Sequence, residues 1–279
     1  MCIRDSSRTV RGDTNNDGFA EAAVYTAFNG TMVTKDILGN QYAKQLGVVG
    51  DIPFSLDYDG DGFKDLAVYS SNNQTWNVKN TSNNSIQQLN LGTEDAFPVV
   101  GNFDGGTRSN VGIFRPALST FTYLADSGQE FGVSIAESGH VPVKPCDLDG
   151  NGRDDIILYN QKGSWVSFDG GYSTLSFGAS SGDTALAGYI NGGDVCRQII
   201  YRSATGEWFD TSGLIAQFGA PFDVPVLLDV NGDGRENLAL WREVEKRYYI
   251  LSDDRRSVST IEFNELNGTP PSVLSLIHI

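Results

Sequence analysis

Four stretches of this 279-residue chain set side-chain oxygens at alternate positions and close on one more donor. The sets are Asp13, Asn15, Asp17 and Glu21; Asp57, Asp59, Asp61 and Asp65; Asp147, Asp149, Asn151 and Asp155; and Asp229, Asn231, Asp233 and Asn237. Gly18, Gly62, Gly152 and Gly234 follow the third donor of each set, where a tight turn favours a residue without a Cβ. Side chains at loop positions 1, 3, 5 and 9, with a backbone carbonyl at position 7 (Phe19, Phe63, Arg153 or Arg235), would surround one point with about six or seven oxygens. That donor set suits a hard cation, and Ca²⁺ takes it with the least demand on geometry. Mg²⁺ prefers a smaller octahedral shell that keeps several waters. No Cys or His stands at a ligand position to suit Zn²⁺. About four Ca²⁺ ions are therefore expected. The set beginning at Asp57 has a carboxylate at every position and should bind best, while the set ending at Asn237 lacks the last carboxylate and should bind worst. An Asx-turn without metal is the ordinary alternative for any one such loop. Four loops in register favour ions, which would also offset more than half of the formal charge of −15.

The elements that must position these loops show themselves as a repeat. The loops begin at residues 13, 57, 147 and 229, and two eroded copies begin at Asn102 and Tyr189, so the unit is 40–45 residues long. The eroded copies have lost too many oxygens and are expected to hold no ion. Three further landmarks keep the register. Tyr25, Tyr69, Phe114, Tyr159, Tyr201 and Trp241 follow the loops; Met32, Trp76, Phe121, Trp165, Trp208 and Tyr248 come next; Leu46, Leu91, Phe131, Phe177, Phe218 and Phe263 close the units, before Gly or Asn. Pro with apolar neighbours precedes most loops, as at Pro53, Pro98, Pro142 and Pro225. Each unit thus predicts four short strands bounded by Gly, Asn, Asp or Ser, and no segment carries a sustained helical period. The fold class expected is all-β: a β-propeller of about six four-stranded blades, formed by residues 7–273 as one domain. Residues 268–273 look like the lead-in to a seventh unit, which predicts an open arc cut from a seven-bladed ring.

The loops and their strand landmarks resemble FG-GAP/VCBS repeats, the family that includes the calcium-loop blades of integrin α-subunit propellers. The stretch from Asp57 to Tyr69 carries the resemblance most specifically. It implies a secreted or cell-surface protein, one part of a larger chain.

Other features bound the function. The excess of acid gives no basic face for nucleic acid, and no apolar run is long enough to span a bilayer. Both termini look foreign. Met1 to Asp5 can be encoded by ATG TGT ATA AGA GAC and Leu274 to Ile279 by CTG TCT CTT ATA CAC ATC, strings that are reverse complements over almost their whole length. They resemble a sequencing-library adapter, so residues 1–6 and 274–279, with Cys2 and His278, are expected to carry no biology, and the natural chain to continue beyond both ends. Cys146 and Cys196 fall in corresponding regions of adjacent units; two free buried thiols are the favoured reading, a disulfide replacing the missing ion the alternative.

Three motifs are declined. Arg11-Gly12-Asp13 spells an adhesion tripeptide, but its acid is a loop ligand. Gly178 to Gly182 spells a nucleophile elbow without the strand–turn–helix setting or a His partner other than His140. The aromatic series Trp76, Trp165, Trp208 and Tyr248 reads as inter-blade core rather than a sugar-stacking row. No catalytic residue is assigned. The function expected is a calcium-bound extracellular scaffold for adhesion to a protein or glycan. The alternatives are a lectin-like propeller and the accessory part of a polysaccharide lyase or hydrolase.

Overall fold

In the computed structural model, residues 13–15, 17–26, 29–135 and 139–263 are described, together with the backbone of Ser272–Val273. The adapter-like ends lie outside the described residues. Alternating β-formers and left-handed glycines at the turns fold the chain into six four-stranded antiparallel sheets, five of them meanders of consecutive strands. Blade two shows the plan: β4 (Ile52–Leu56) is innermost, followed by β5 (Asp65–Ser70), β6 (Thr75–Lys79) and β7 (Ile86–Leu89). Blade three runs from β8 (Phe97–Gly101) to β11 (Glu130–Ser134), and blade four from β12 (Val141–Cys146) to β15 (Tyr172–Ser176). Blade five runs from β16 (Asp183–Gly188) to β19 (Gly213–Gln217), and blade six from β20 (Val224–Leu228) to β23 (Val258–Glu262).

Blade one differs. Its strands β1 (Ala22–Thr26), β2 (Thr31–Lys35) and β3 (Gln41–Gln45) take their fourth member from the far end of the sequence, β24 (Ser272–Val273), paired antiparallel to Val24 and Tyr25. The segment expected to open a seventh blade therefore completes the first. The ring closes at six, correcting the expected open arc. Val24 and Val33 of blade one share a core with Val226, Trp241 and Tyr248 of blade six, and the Tyr248 hydroxyl donates to the Ala23 carbonyl at 2.6 Å.

The core lies between blades. Trp76, Trp165 and Trp208 are wholly buried, as are Phe121 and Tyr248 to within 1%, so the aromatic series is packing rather than a binding row. One landmark needs correction. In unit three the closing residue is the buried Ile135, whose amide donates to the Ser119 carbonyl as Leu46 does to Gly30, Phe177 to Gly163 and Phe218 to Gly206. Phe131 lies within β11 and is half exposed. The Phe-Gly pair at 131–132 resembles the other unit ends in type, but the hairpin register places Ile135 at the blade junction.

Candidate metal centre

In blades two to six the acidic loop joins the innermost strand to the next; in blade one it leads into β1, and its bonds to the loops of blades six and two keep it on the same face of the ring. Left-handed φ values of 78° and 90° at Gly60 and Gly62 bend the backbone tightly enough for its amides to point inward. Gly60 and Gly62 donate to the two Asp57 oxygens at 2.8 and 2.9 Å; Gly150 and Gly152 do so to Asp147, and Gly232 and Gly234 to Asp229. The position 9 side chain accepts from the position 2 amide: Glu21 from Thr14, Asp65 from Tyr58, Asp155 from Leu148 and Asn237 from Val230. At position 7 the amides of Phe19, Phe63, Arg153 and Arg235 donate to the position 5 side chains Asp17, Asp61, Asn151 and Asp233.

A second motif chains the loops together. The position 8 amide of each loop donates to the position 1 carbonyl of the loop before it. Lys64 reaches Asp13 at 3.4 Å, Ser109 reaches Asp57 at 2.6 Å, Asp154 reaches Asn102 at 2.7 Å, Cys196 reaches Asp147 at 2.8 Å and Glu236 reaches Tyr189 at 3.1 Å. Ala20 closes the circle on Asp229 at 3.0 Å. The loops are thus one continuous hydrogen-bonded hoop.

Among the described residues, three groups of acids offer oxygens within 4.8 Å of one another: Asp13, Asp17 and Glu21; Asp57, Asp59 and Asp61; and Asp147, Asp149 and Asp155. They belong to blades one, two and four. Asp65 stands beside its group, accepting from the Tyr58 and Thr81 amides at 3.0 and 2.7 Å. Asn15 donates to Asp17 through its amide at 3.0 Å. In blade six only Asp229 and Asp233 bring carboxylates from the loop, and Asn231 and Asn237 direct their amide nitrogens at Asp253, at 2.9 and 2.8 Å.

The fit to a cation rests on one atom. Glu21 is 4% exposed, and its Oε1 is buried without a hydrogen-bond partner, although Thr14 satisfies the other oxygen. A buried carboxylate oxygen left so is costly unless an ion answers it. Burial, with help from Asp13 and Asp17 and against the Thr14 hydrogen bonds, pushes Glu21 up to about 7. Burial likewise pushes Asp155 up to about 6 and raises Asp57, Asp65 and Asp229. Acids so placed want either a proton or a cation.

The hairpin after the third strand of every blade brings one more residue to the loop, and the loop pattern alone did not reveal it. Asp36 approaches Asp17, Asn80 donates to Asp59, and the Asp126 amide donates to Asp104. Asp169 accepts from Asn151, Asp210 from Arg197 and Asp253 from Asn231 and Asn237. The signal was present: an Asp or Asn recurs 21–24 residues after each loop begins.

Blade five departs most. Its position 9 is Arg197, whose Nη1 lies 3.0 Å from Asp210. With the Asn191 amide turned so that its oxygen faces the guanidinium, that oxygen accepts from Nε and Nη2 at 2.7 and 3.1 Å. Beside it, Cys146 and Cys196 form a disulfide between loops four and five, in place of the favoured free thiols. The thiol reading followed general rates for two Cys; the hoop sets the Cα atoms 6.1 Å apart, within bridging range.

Of the declined motifs, Asp13 turns its carboxylate into its own loop, accepting from Asn15 and Gly18, while Arg11 and Gly12 lie outside the described residues. Ser180 sits in a connector between blades four and five, its amide donating to Asp183. No helix among the described residues is long and apolar enough to cross a membrane.

No protein-family profile and no curated protein matches the chain. Solved structures do. A streptogramin B lyase superposes with a TM-score of 0.57 at 10% identity, covering 92% of this chain and 85% of that one. The virginiamycin B lyase of Staphylococcus aureus gives 0.53 at 9% identity, covering 90% and 87%. An Agrocybe aegerita lectin that recognises non-reducing terminal N-acetylglucosamine gives 0.55 at 12%, covering 87% and 90%. What they share with this chain is the propeller.

Proposed function

We propose that the chain is a calcium-stabilised propeller of FG-GAP/VCBS type that serves outside the cell as a binding scaffold for a protein or glycan. The observation that carries the calcium is the buried, partnerless Oε1 of Glu21 within the Asp13, Asp17 and Glu21 group. Blades one, two and four hold the strongest sites, and blade six a weaker one. The ion would be held by the loop carboxylates, offsetting their mutual repulsion and tying strand to strand at the inner edge of each blade. The Cys146–Cys196 bridge supports an oxidising compartment such as the cell exterior. The binding role draws on propeller architecture, which presents loops on a rigid disc.

Calorimetry in EDTA and in Ca²⁺ tests the calcium. Saturation at a hundredfold excess over Kd should add about 2.7 kcal/mol per site, or roughly 5 °C in Tm per site for a chain this size. An unchanged Tm would overturn the reading.

Glycan is favoured among partners by the half-exposed aromatics Tyr42, Phe131 and Tyr172 on the outermost strands of blades one, three and four. A glycan array, repeated with these residues changed to Ala, would test it: binding that survives the changes places the surface elsewhere.

A further inference from the structure

The hairpin residues have no role in the loop pattern, yet each one meets its acidic loop. In blade one the residue is Asp36, which follows β2 and is 1% exposed. Asn40 donates to both of its oxygens, at 2.8 and 2.6 Å, so the carboxylate is fixed in direction. It lies within hydrogen-bonding reach of the Asp17 carboxylate. In blade four Asp169 meets Asn151, the corresponding loop position. In blade one two carboxylates, both acceptors when ionised, are within reach of each other, and either a shared proton or a cation between them would satisfy both.

Two observations argue for a cation at these places. The first is the orphaned Oε1 of Glu21, buried in the group that contains Asp17. The second is blade five, where the molecule supplies such a charge itself. There the Arg197 guanidinium stands between the hairpin acid Asp210 and the loop residue Asn191, at 3.0 Å from the first and 2.7 Å from the second. Arg197 occupies the position that Glu21 and Asp155 hold in blades one and four. Asp210 and Asp36 both leave the end of a third strand. In blade five, the slot between hairpin and loop is thus occupied by positive charge.

We propose that Asp36 and Asp169 are direct ligands of the divalent cations bound in blades one and four. The inference rests on the reading that these loops bind Ca²⁺, and it adds a ligand from outside the loop. Its structural consequence is that each ion joins the inner loop to the hairpin between the third and outermost strands. Cation binding then reaches across the blade, where a loop-only site would end at the inner edge. Asn80 in blade two offers an amide at the same place, so the three strong sites are not alike.

Two measurements on the full chain test this. Crystals soaked in Tb³⁺ would locate each ion by anomalous scattering, and the blade-one and blade-four ions should lie at bonding distance from Asp36 and Asp169 oxygens, about 2.3–2.6 Å for a hard cation of this size. Titration calorimetry with Ca²⁺ should show Asp36→Asn weakening one site at least tenfold, with the metal-free Tm unchanged or raised. Asp210→Asn is the contrasting variant: it should leave every Ca²⁺ affinity unaltered and lower Tm equally with and without the ion. Ions seated in the loops but remote from Asp36 and Asp169, or an Asp36→Asn isotherm that superimposes on the wild type, would overturn the hairpin assignment alone. A wild-type chain that binds neither Ca²⁺ nor Tb³⁺ would overturn the loop reading and this inference together.

Discussion

In blade one, loop position 9 is Glu21, with one oxygen bonded to Thr14 and the other buried without a partner. In blade five the same position is Arg197, bonded to Asp210 and to Asn191. Burial drives Glu21 up to about 7. Burial also works to raise Asp210, but hydrogen bonds from Ser212 and Arg197 outweigh it and hold that carboxyl below its usual range. One backbone plan therefore carries two electrostatic solutions. Blade five is neutralised from within and fastened by a disulfide; on the proposed reading, blade one takes its neutralising charge from solution as Ca²⁺. The loop backbone thus needs amides pointed inward and across, and its side chains need positive charge from some source.

The largest effect that would break this contrast concerns the disulfide. Changing Cys196 to Ser should cost about 2–5 kcal/mol, by the same amount in EDTA and in saturating Ca²⁺, as read by calorimetry under non-reducing conditions. Recovery of that loss by Ca²⁺ would make blade five ion-dependent after all. Next comes Arg197→Met, which leaves Asp210 with its Ser212 hydrogen bonds but no charged partner. The guanidinium is nearly half exposed, so the cost should stay at about 1.5–3 kcal/mol, measured by urea unfolding and again insensitive to Ca²⁺. The smallest and most discriminating is Glu21→Gln. Without metal it should be neutral or stabilising by up to about 1 kcal/mol, since one acid leaves a crowded group. In Ca²⁺ it should destabilise by about 1.4 kcal/mol for each tenfold loss of affinity. A variant with the same sign in both conditions would remove the distinction between the blades.

Much of this was legible in the chain. The loop donors recur at every second position, the seventh through its carbonyl, so a turn of known shape fixes them locally, and Asp57, Asp59 and Asp61 come together as their spacing predicts. The strand count per unit followed from turn residues and the aromatic register. What was not legible depends on contacts between distant segments. Asp36 meets its loop only because a hairpin folds back, and an isolated Asp at a turn has the same sequence signature whether or not it meets anything. Ser272–Val273 looked like the start of another unit because it has an innermost strand's composition; which blade receives it is decided by ring closure. Cys146 and Cys196 are 50 residues apart, and only the hoop shows that their neighbours are hydrogen-bonded.

The hoop has a further consequence. Its links are equivalent, running from the eighth position of one loop to the first of the loop before it, and they return to their starting point after six. A circle of identical joints has a fixed circumference, so blade number is a quantised property of this face: a unit can be gained or lost only by re-forming the whole circuit at a new radius. It also has no privileged beginning. A permuted gene that joined β24 to the loop at Asp13, both within blade one, and opened the connector at 92–96 would keep every loop-to-loop joint, and its product should assemble the same disc from a different starting point.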